Sequence, residues 1–354
     1  MIMKKTLSLA ASIISFVIIQ LFIFTNSNSE ENNTKYYAKD NGILSIMYHR
    51  FNESKFPSTN VSEEQFFSHI KYIQENDFDI LNIDQVINHI DEGKVFSKKS
   101  IALTVDDAYE SFYSIAWPYL KENNIPVTLF VSTESVDQNP GGYMSWDQIR
   151  NFVSEGGIVG QHTASHLHMP LNDIGYVEDD IVRSQKIFLK ELGYIPKHFA
   201  YPYGEASSEI IDLLNDFGIN YAFGQHSGVV SKESNKMYLP RFALNERYGE
   251  IDRFMFAAKA LPLKIKDLIP SNMYLNNMNK PNIEFTIVSN IKTNQLTCFA
   301  NTGGDWNEQK IEIMTENRIG ISLDDGFESG RGRLNCTSNN SGNWHWFGYQ
   351  FLIK

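Results

Sequence analysis

Ser100-Ile101-Ala102-Leu103-Thr104-Val105-Asp106-Asp107 decides how the chain is read: an apolar run rich in β-branched residues, halted by two adjacent carboxylates. A run of this length and composition is a buried strand. Two acids at its mouth repel each other, and burying them costs several kcal/mol unless a cation or hydrogen-bond donors compensate. A divalent cation is the simplest remedy. Ligands for it stand further along, in Gly160-Gln161-His162-Thr163-Ala164-Ser165-His166-Leu167-His168. His162 and His166, at i and i+4, can converge on one ion from a helix face or from a loop that turns once. His168 follows in alternate register and is the less apt ligand. One carboxylate with two imidazoles suits zinc, with nickel, cobalt or iron as alternatives, and leaves coordination positions open for water and substrate. The other Asp stays free as a base; on physical grounds alone Asp106 and Asp107 can take either role.

Outward from this stretch, strands and helices alternate. Gly42 to Tyr48 reads as a first strand that ends at His49-Arg50, which puts His49 where α/β folds gather catalytic groups, although a His capping a loop looks the same. A helix follows to Glu75, with Ser62 as N-cap and Gln65 completing a capping box. Ile80 to Ile83 is a strand, and Asp84 to Glu92 a helix closed by Gly93. Beyond the Asp pair come a helix from Ser111 to Asn123 kinked at Pro118, a strand Pro126 to Val131, and a helix Ser145 to Glu155. The strand Ile158 to Gly160 then delivers the His cluster, followed by a helix Gly175 to Leu192. A strand Phe199 to Tyr201 ends in Pro202-Tyr203-Gly204, and a helix Ser207 to Phe217 leads to a strand Tyr221 to Phe223. Such alternation makes a parallel sheet, and this many strands predict a closed or nearly closed α/β barrel with its site at the carboxyl ends of the strands.

The pattern changes after Arg241. Residues 251–274 read as a helical linker interrupted by Pro262 and Pro270, and 275–354 as a small antiparallel β domain of short alternating runs. Trp306, Trp344, Trp346, Phe347 and Tyr349 crowd this part, as a sugar-binding platform or as core. The two cysteines, Cys298 and Cys336, also fall here. If bonded they close a loop worth about 3–4 kcal/mol on the chain-entropy model. At the other end, Met1 to Lys5 and the apolar stretch Leu7 to Phe24 have the form of a secretory signal or an uncleaved N-terminal anchor over 1–25. A polar tether over 26–40 follows. Export to the periplasm, cell envelope or exterior is therefore expected, with membrane association only through that segment. The net charge of −11 argues against nucleic acid as a partner.

A metal site of this kind polarises a carbonyl and lowers the pKa of water, so hydrolysis of an amide or ester follows naturally. The backbone N–H of Tyr203 could meet the developing oxyanion and His49 could protonate the leaving amine. Three stretches in this order resemble the polysaccharide deacetylases of carbohydrate esterase family 4, which carry the NodB homology domain. They are Thr104-Val105-Asp106-Asp107, His162-Thr163-Ala164-Ser165-His166 and Phe199-Ala200-Tyr201-Pro202-Tyr203-Gly204. The resemblance spans about Ile43 to Ala243, within a catalytic domain set at 41–250. It implies a distorted (β/α) barrel of the NodB type, Asp106 as general base, Asp107, His162 and His166 as metal ligands, and Tyr203 as oxyanion donor. Two departures are plain: Ala200 stands where many members carry an Arg, and no Leu-x-His segment follows Tyr221. Met47-Tyr48-His49-Arg50 and Leu239-Pro240-Arg241-Phe242 instead look like the subgroup that deacetylates poly-β-1,6-N-acetylglucosamine. That likeness gives His49 the acid role and sets Arg241 to orient the base. The expectation is an exported metal-dependent polysaccharide N-deacetylase. The alternatives are a deacetylase of another envelope glycan (peptidoglycan, chitin-type or acetylated capsule) or a non-catalytic glycan-binding protein on the same fold.

Overall fold

The computed structural model describes residues 41–93 and 98–354. The expected signal or anchor and its tether, residues 1–40, lie outside the described residues. The strands Ile43–Tyr48, Ser100–Asp106, Val127–Val131, Ile158–Gln161, Phe199–Ala200 and Ala222–Phe223 lie side by side in chain order, each parallel to the next. Every residue of the first three is buried, as expected of strands covered on both faces. Closure comes from two short stretches that carry no periodic signal. Leu239 bridges Phe223 in parallel, and Phe242–Ala243 runs parallel to Ile46–Met47. The last strand is thereby joined to the first and the sheet becomes an irregular barrel.

Capping fixes most helix starts where the sequence puts them. Ser62 with Gln65 and Ser145 with Gln148 form complete capping boxes. A third, Asn82 with Gln85, starts a helix at Ile83, so the preceding strand is Asp79–Leu81 and Ile83 is not part of it. The stretch around Pro118 is a π-helix over Phe112–Ala116 that passes into an α-helix over Trp117–Glu122, with the proline in the first turn, where its missing N–H costs nothing. Among the described residues no helix is long and apolar enough to cross a membrane.

The segment expected as a helical linker over 251–274 is helical only at Ile251–Ala258. Leu261–Pro262 then pairs with Asn343–Ile353 and Ile265–Ile269 with Ile283–Ile287, so the β unit recruits chain from before residue 275. Its sheet is mostly antiparallel. Trp306–Ile313 pairs first with Leu296–Asn301 and then with Arg318–Ser322, which lets the sheet fold over an apolar interior. Cys298 and Cys336 face each other across neighbouring strands, 4.0 Å apart at Cα, and are disulfide-bonded. One buried cluster continues from Val177, Phe199 and Tyr201 of the barrel to Phe285, Ile319, Leu334 and Phe351 of the β unit. At the seam a Cβ on Gly348 would stand 1.9 Å from the Ser227 carbonyl oxygen, so only glycine allows this approach. Trp346 and Tyr349 are buried and Phe347 packs on Phe285, which makes them core; Trp344 stays exposed and Trp306 half-buried.

Candidate metal centre and active site

The strand Ser100–Asp106 carries Asp106 to its carboxyl end, fully buried. Successive side chains of a strand point to opposite faces. Asp107 breaks that alternation by leaving the strand in the left-handed region, with φ 75°, and Ala108 follows at 61°. Non-glycine residues held there cost of order 1–3 kcal/mol each and gather at functional sites. His166 (φ 53°) and Tyr203 (φ 59°) share the feature.

The two histidines reach Asp107 from the loop that follows Ile158–Gln161, not from a helix. His162 Nε2 lies 3.4 Å and His166 Nε2 3.2 Å from Asp107 Oδ1. The ligand atoms of all three residues fall within 4.8 Å of one another. His162 donates its Nδ1 proton to the Ala200 carbonyl at 2.7 Å, which fixes the tautomer that leaves Nε2 bare. Asp107 Oδ1 and His162 Nε2 are buried without a hydrogen-bond partner. Orphaned acceptors of this kind are rare and costly, and a divalent cation would satisfy both. The residues therefore fit a metal, held by Asp107, His162 and His166. His168 does not join them: it stacks on the Tyr203 ring with centroids 3.9 Å apart and pairs with Glu205 at 2.7 Å.

Asp106 takes no part in that cluster. Arg241, fully buried, donates Nη1 to its Oδ1 at 2.7 Å and Nη2 to its Oδ2 at 2.8 Å, a two-pronged pair. Two more guanidinium protons go to the Gly224 carbonyl and the Thr104 hydroxyl. Burial alone would push the Asp106 carboxyl up, but Arg241 and His162 outweigh it and hold it below its ordinary value. Asp107 is likewise pushed up by burial and pulled well below its usual range by His162 and His166. Both stay ionised, one gripped by an arginine and one facing imidazoles. The barrel closure explains the arginine: the segment that joins the last strand to the first delivers Arg241, in a chain with Ala200 in the third motif.

His49 lies within electrostatic reach of Asp107 and Asp106, its Nδ1 buried and without a partner. Burial pushes its imidazole below its ordinary value, while Asp107 and Asp106 pull it back up. Tyr203 sits in a short turn, Pro202–Gly204, its ring edge against His166 at 4.5 Å. All seven residues singled out from the sequence thus come to one mouth of the barrel.

Three further residues hold this arrangement and were not singled out. Asp180, fully buried on the helix Ile174–Leu192, accepts from the Ala164 and Ser165 backbone and from the Ser165 hydroxyl, between the two histidines. An acid on the buried stripe Val177, Ile181, Ser184 and Phe188 was a legible signal. Glu205, raised by burial and pulled back by His168, was hidden because its partner is remote. Gln350 comes from the β unit: its side-chain amide donates to the carbonyls of Tyr203 and Gly204, 3.0 Å each. Nothing in the local sequence pointed to it.

With this geometry in hand, comparison with known proteins gives a consistent result. Residues 93–222 match the family described as polysaccharide deacetylase. A poly-beta-1,6-N-acetyl-D-glucosamine N-deacetylase of Staphylococcus aureus is 26% identical over 237 residues, which covers 59% of this chain and 80% of that protein. Among solved structures, the Streptococcus pyogenes deacetylase PplD in complex with acetate superposes with a TM-score of 0.57 at 18% identity, covering 62% of this chain and 99% of that one. IcaB from Ammonifex degensii gives 0.56 at 23%, covering 62% and 98%. The structural likenesses place the barrel among NodB-type deacetylase folds.

Proposed function

Since this chain carries a polysaccharide deacetylase domain and is a hydrolase acting on amide bonds, we propose that it removes N-acetyl groups from an exported polymer of N-acetylhexosamine. A poly-β-1,6-N-acetylglucosamine-like exopolysaccharide is the favoured substrate. The observation that carries this reading is the pairing of two differently built carboxylates: Asp107 among His162 and His166, and Asp106 alone with Arg241. The curated relative's named substrate and the His49 and Arg241 segments support the choice of polymer.

Asp107, His162 and His166 would hold a divalent ion, zinc by preference, which would supply Lewis acidity and a more acidic water. Asp106, kept ionised by Arg241, takes the proton of the attacking water as that water adds to the acetyl carbonyl carbon. Tyr203 directs its backbone N–H at the oxygen that gains charge. His49 hands a proton to the sugar nitrogen as the C–N bond breaks, and acetate leaves. The disulfide Cys298–Cys336 supports an oxidising compartment and hence export.

Replacing Asp106 with Asn tests the assignment. Acetate release from an N-acetylglucosamine oligomer is expected to fall by about 10²–10⁴-fold, while the protein still binds metal in a titration. Full activity in that variant would overturn the role of Asp106.

A further inference from the structure

A cavity of about 420 Å³ opens between the barrel and the β unit, lined by elements of both. Three arginines line it from three separate elements: Arg247 from the loop after the barrel-closing segment, Arg253 from the helix Ile251–Ala258, and Arg333 from the strand Gly330–Asn340. Elsewhere the arginines of this acidic chain are matched by carboxylates, as in Arg50 with Glu53, Arg183 with Glu134 and Arg318 with Glu284. Among the described residues these three have no carboxylate within ion-pair distance. Arg253 and Arg247 instead lie 4.6 and 5.7 Å from the Tyr248 ring centroid, and Arg333 donates to the Gln350 side-chain oxygen. Burial pushes the Arg333 guanidinium below its ordinary value. Trp306 supplies an apolar wall. His226, also lining the cavity, is buried with its Nδ1 lacking a partner.

Uncompensated guanidinium groups beside an indole and an orphaned ring nitrogen form a receptor for oxyanions attached to sugar. The guanidinium forks take carboxylate or phosphate oxygens in pairs, and the aromatic face takes the apolar side of a pyranose. We propose that this cavity binds an acidic saccharide, a segment carrying carboxylate or phosphate groups, and so fastens the enzyme to an anionic envelope polymer. A polymer of N-acetylhexosamine is neutral and its deacetylated product is cationic, so neither matches the three arginines. The cavity adjoins the catalytic mouth through Arg333 and Gln350, but the ligand proposed for it does not depend on the substrate assigned to that mouth.

Calorimetric titration of the whole protein with a galacturonate hexamer, a phosphodiester-linked oligomer of N-acetylglucosamine 1-phosphate and a neutral N-acetylglucosamine hexamer tests this. Binding of at least one acidic oligomer is expected, weakening several-fold between about 50 and 500 mM salt, as screening demands. In Arg247→Gln/Arg253→Gln, a pair of exposed positions whose loss leaves the core intact, affinity is expected to drop about tenfold with acetate release unchanged. Binding of the uronate alone or of the phosphodiester alone supports the site and identifies which oxyanion it takes. Absence of binding by both acidic oligomers, equal binding of the neutral hexamer, or undiminished affinity in the double variant overturns it.

Discussion

Asp106 can act as a base only while ionised, and at full burial its ionisation depends on Arg241. The two-pronged contact at 2.7 and 2.8 Å offsets the desolvation that would otherwise hold the acid neutral. Removing the cation should therefore raise the Asp106 pKa. A base works above its pKa, so the acidic limb of kcat/KM against pH is expected to move to higher pH in Arg241→Gln, with the largest loss of rate on the acid side. A lower rate with an unmoved limb would leave Arg241 a packing role only. The sequence offered Arg241 through a short likeness in Leu239-Pro240-Arg241-Phe242, whereas its hydrogen bonds depend on a barrel closure that no local pattern announces.

At the scale of elements, the loop that carries His162 and His166 owes its shape to a neighbouring helix. Asp180 on Ile174–Leu192 accepts from Ala164 and Ser165, which sit between the two histidines. In Asp180→Ala, metal affinity in a chelator competition is expected to fall about 10–100-fold, the usual effect of losing an outer partner. Unchanged affinity would show that the left-handed turns at Thr163 and His166 suffice. A second element is fastened by His69. It bonds Tyr48 and the Gly249 carbonyl and stacks on Phe254, so it ties the helix Glu63–Glu75 to the helix Ile251–Ala258. Burial lowers its pKa from 6.5 to about 4. The unfolded chain then binds more protons between those values. Stability is whole above pH 6.5 and falls by about 3 kcal/mol as the pH drops to 4. In His69→Gln, denaturant unfolding across that window should lose about one proton of pH dependence, and an unaltered slope would assign the acid sensitivity to other groups.

For the molecule as a whole, the β unit is bound into the candidate active site. It shares a buried core with the barrel, and Gln350 holds the carbonyls of the turn that carries Tyr203. An independent sugar-binding appendage would, on deletion, weaken polymer binding and spare a short substrate. Gln350→Leu in the intact chain is instead expected to lower kcat on a chitotriose-sized substrate about tenfold or more, since small displacements of a catalytic donor are expensive, with KM within about twofold. A variant that keeps kcat and loses only affinity for long polymer would make the β unit an appendage after all.

The sequence by itself determined the alternation of strands and helices, the capped helix starts, and the four residues Asp106, Asp107, His162 and His166, because periodicity, capping and ligand spacing are local properties. Tertiary structure alone decided which carboxylate faces the imidazoles and which is gripped by arginine. It also decided that two-residue strands close the barrel and that Gln350 of the β unit reaches the Tyr203 turn. Those outcomes rest on left-handed turns and on contacts between segments far apart in the chain. Their free energy is realised only when the segments are packed together, so no local stretch encodes them.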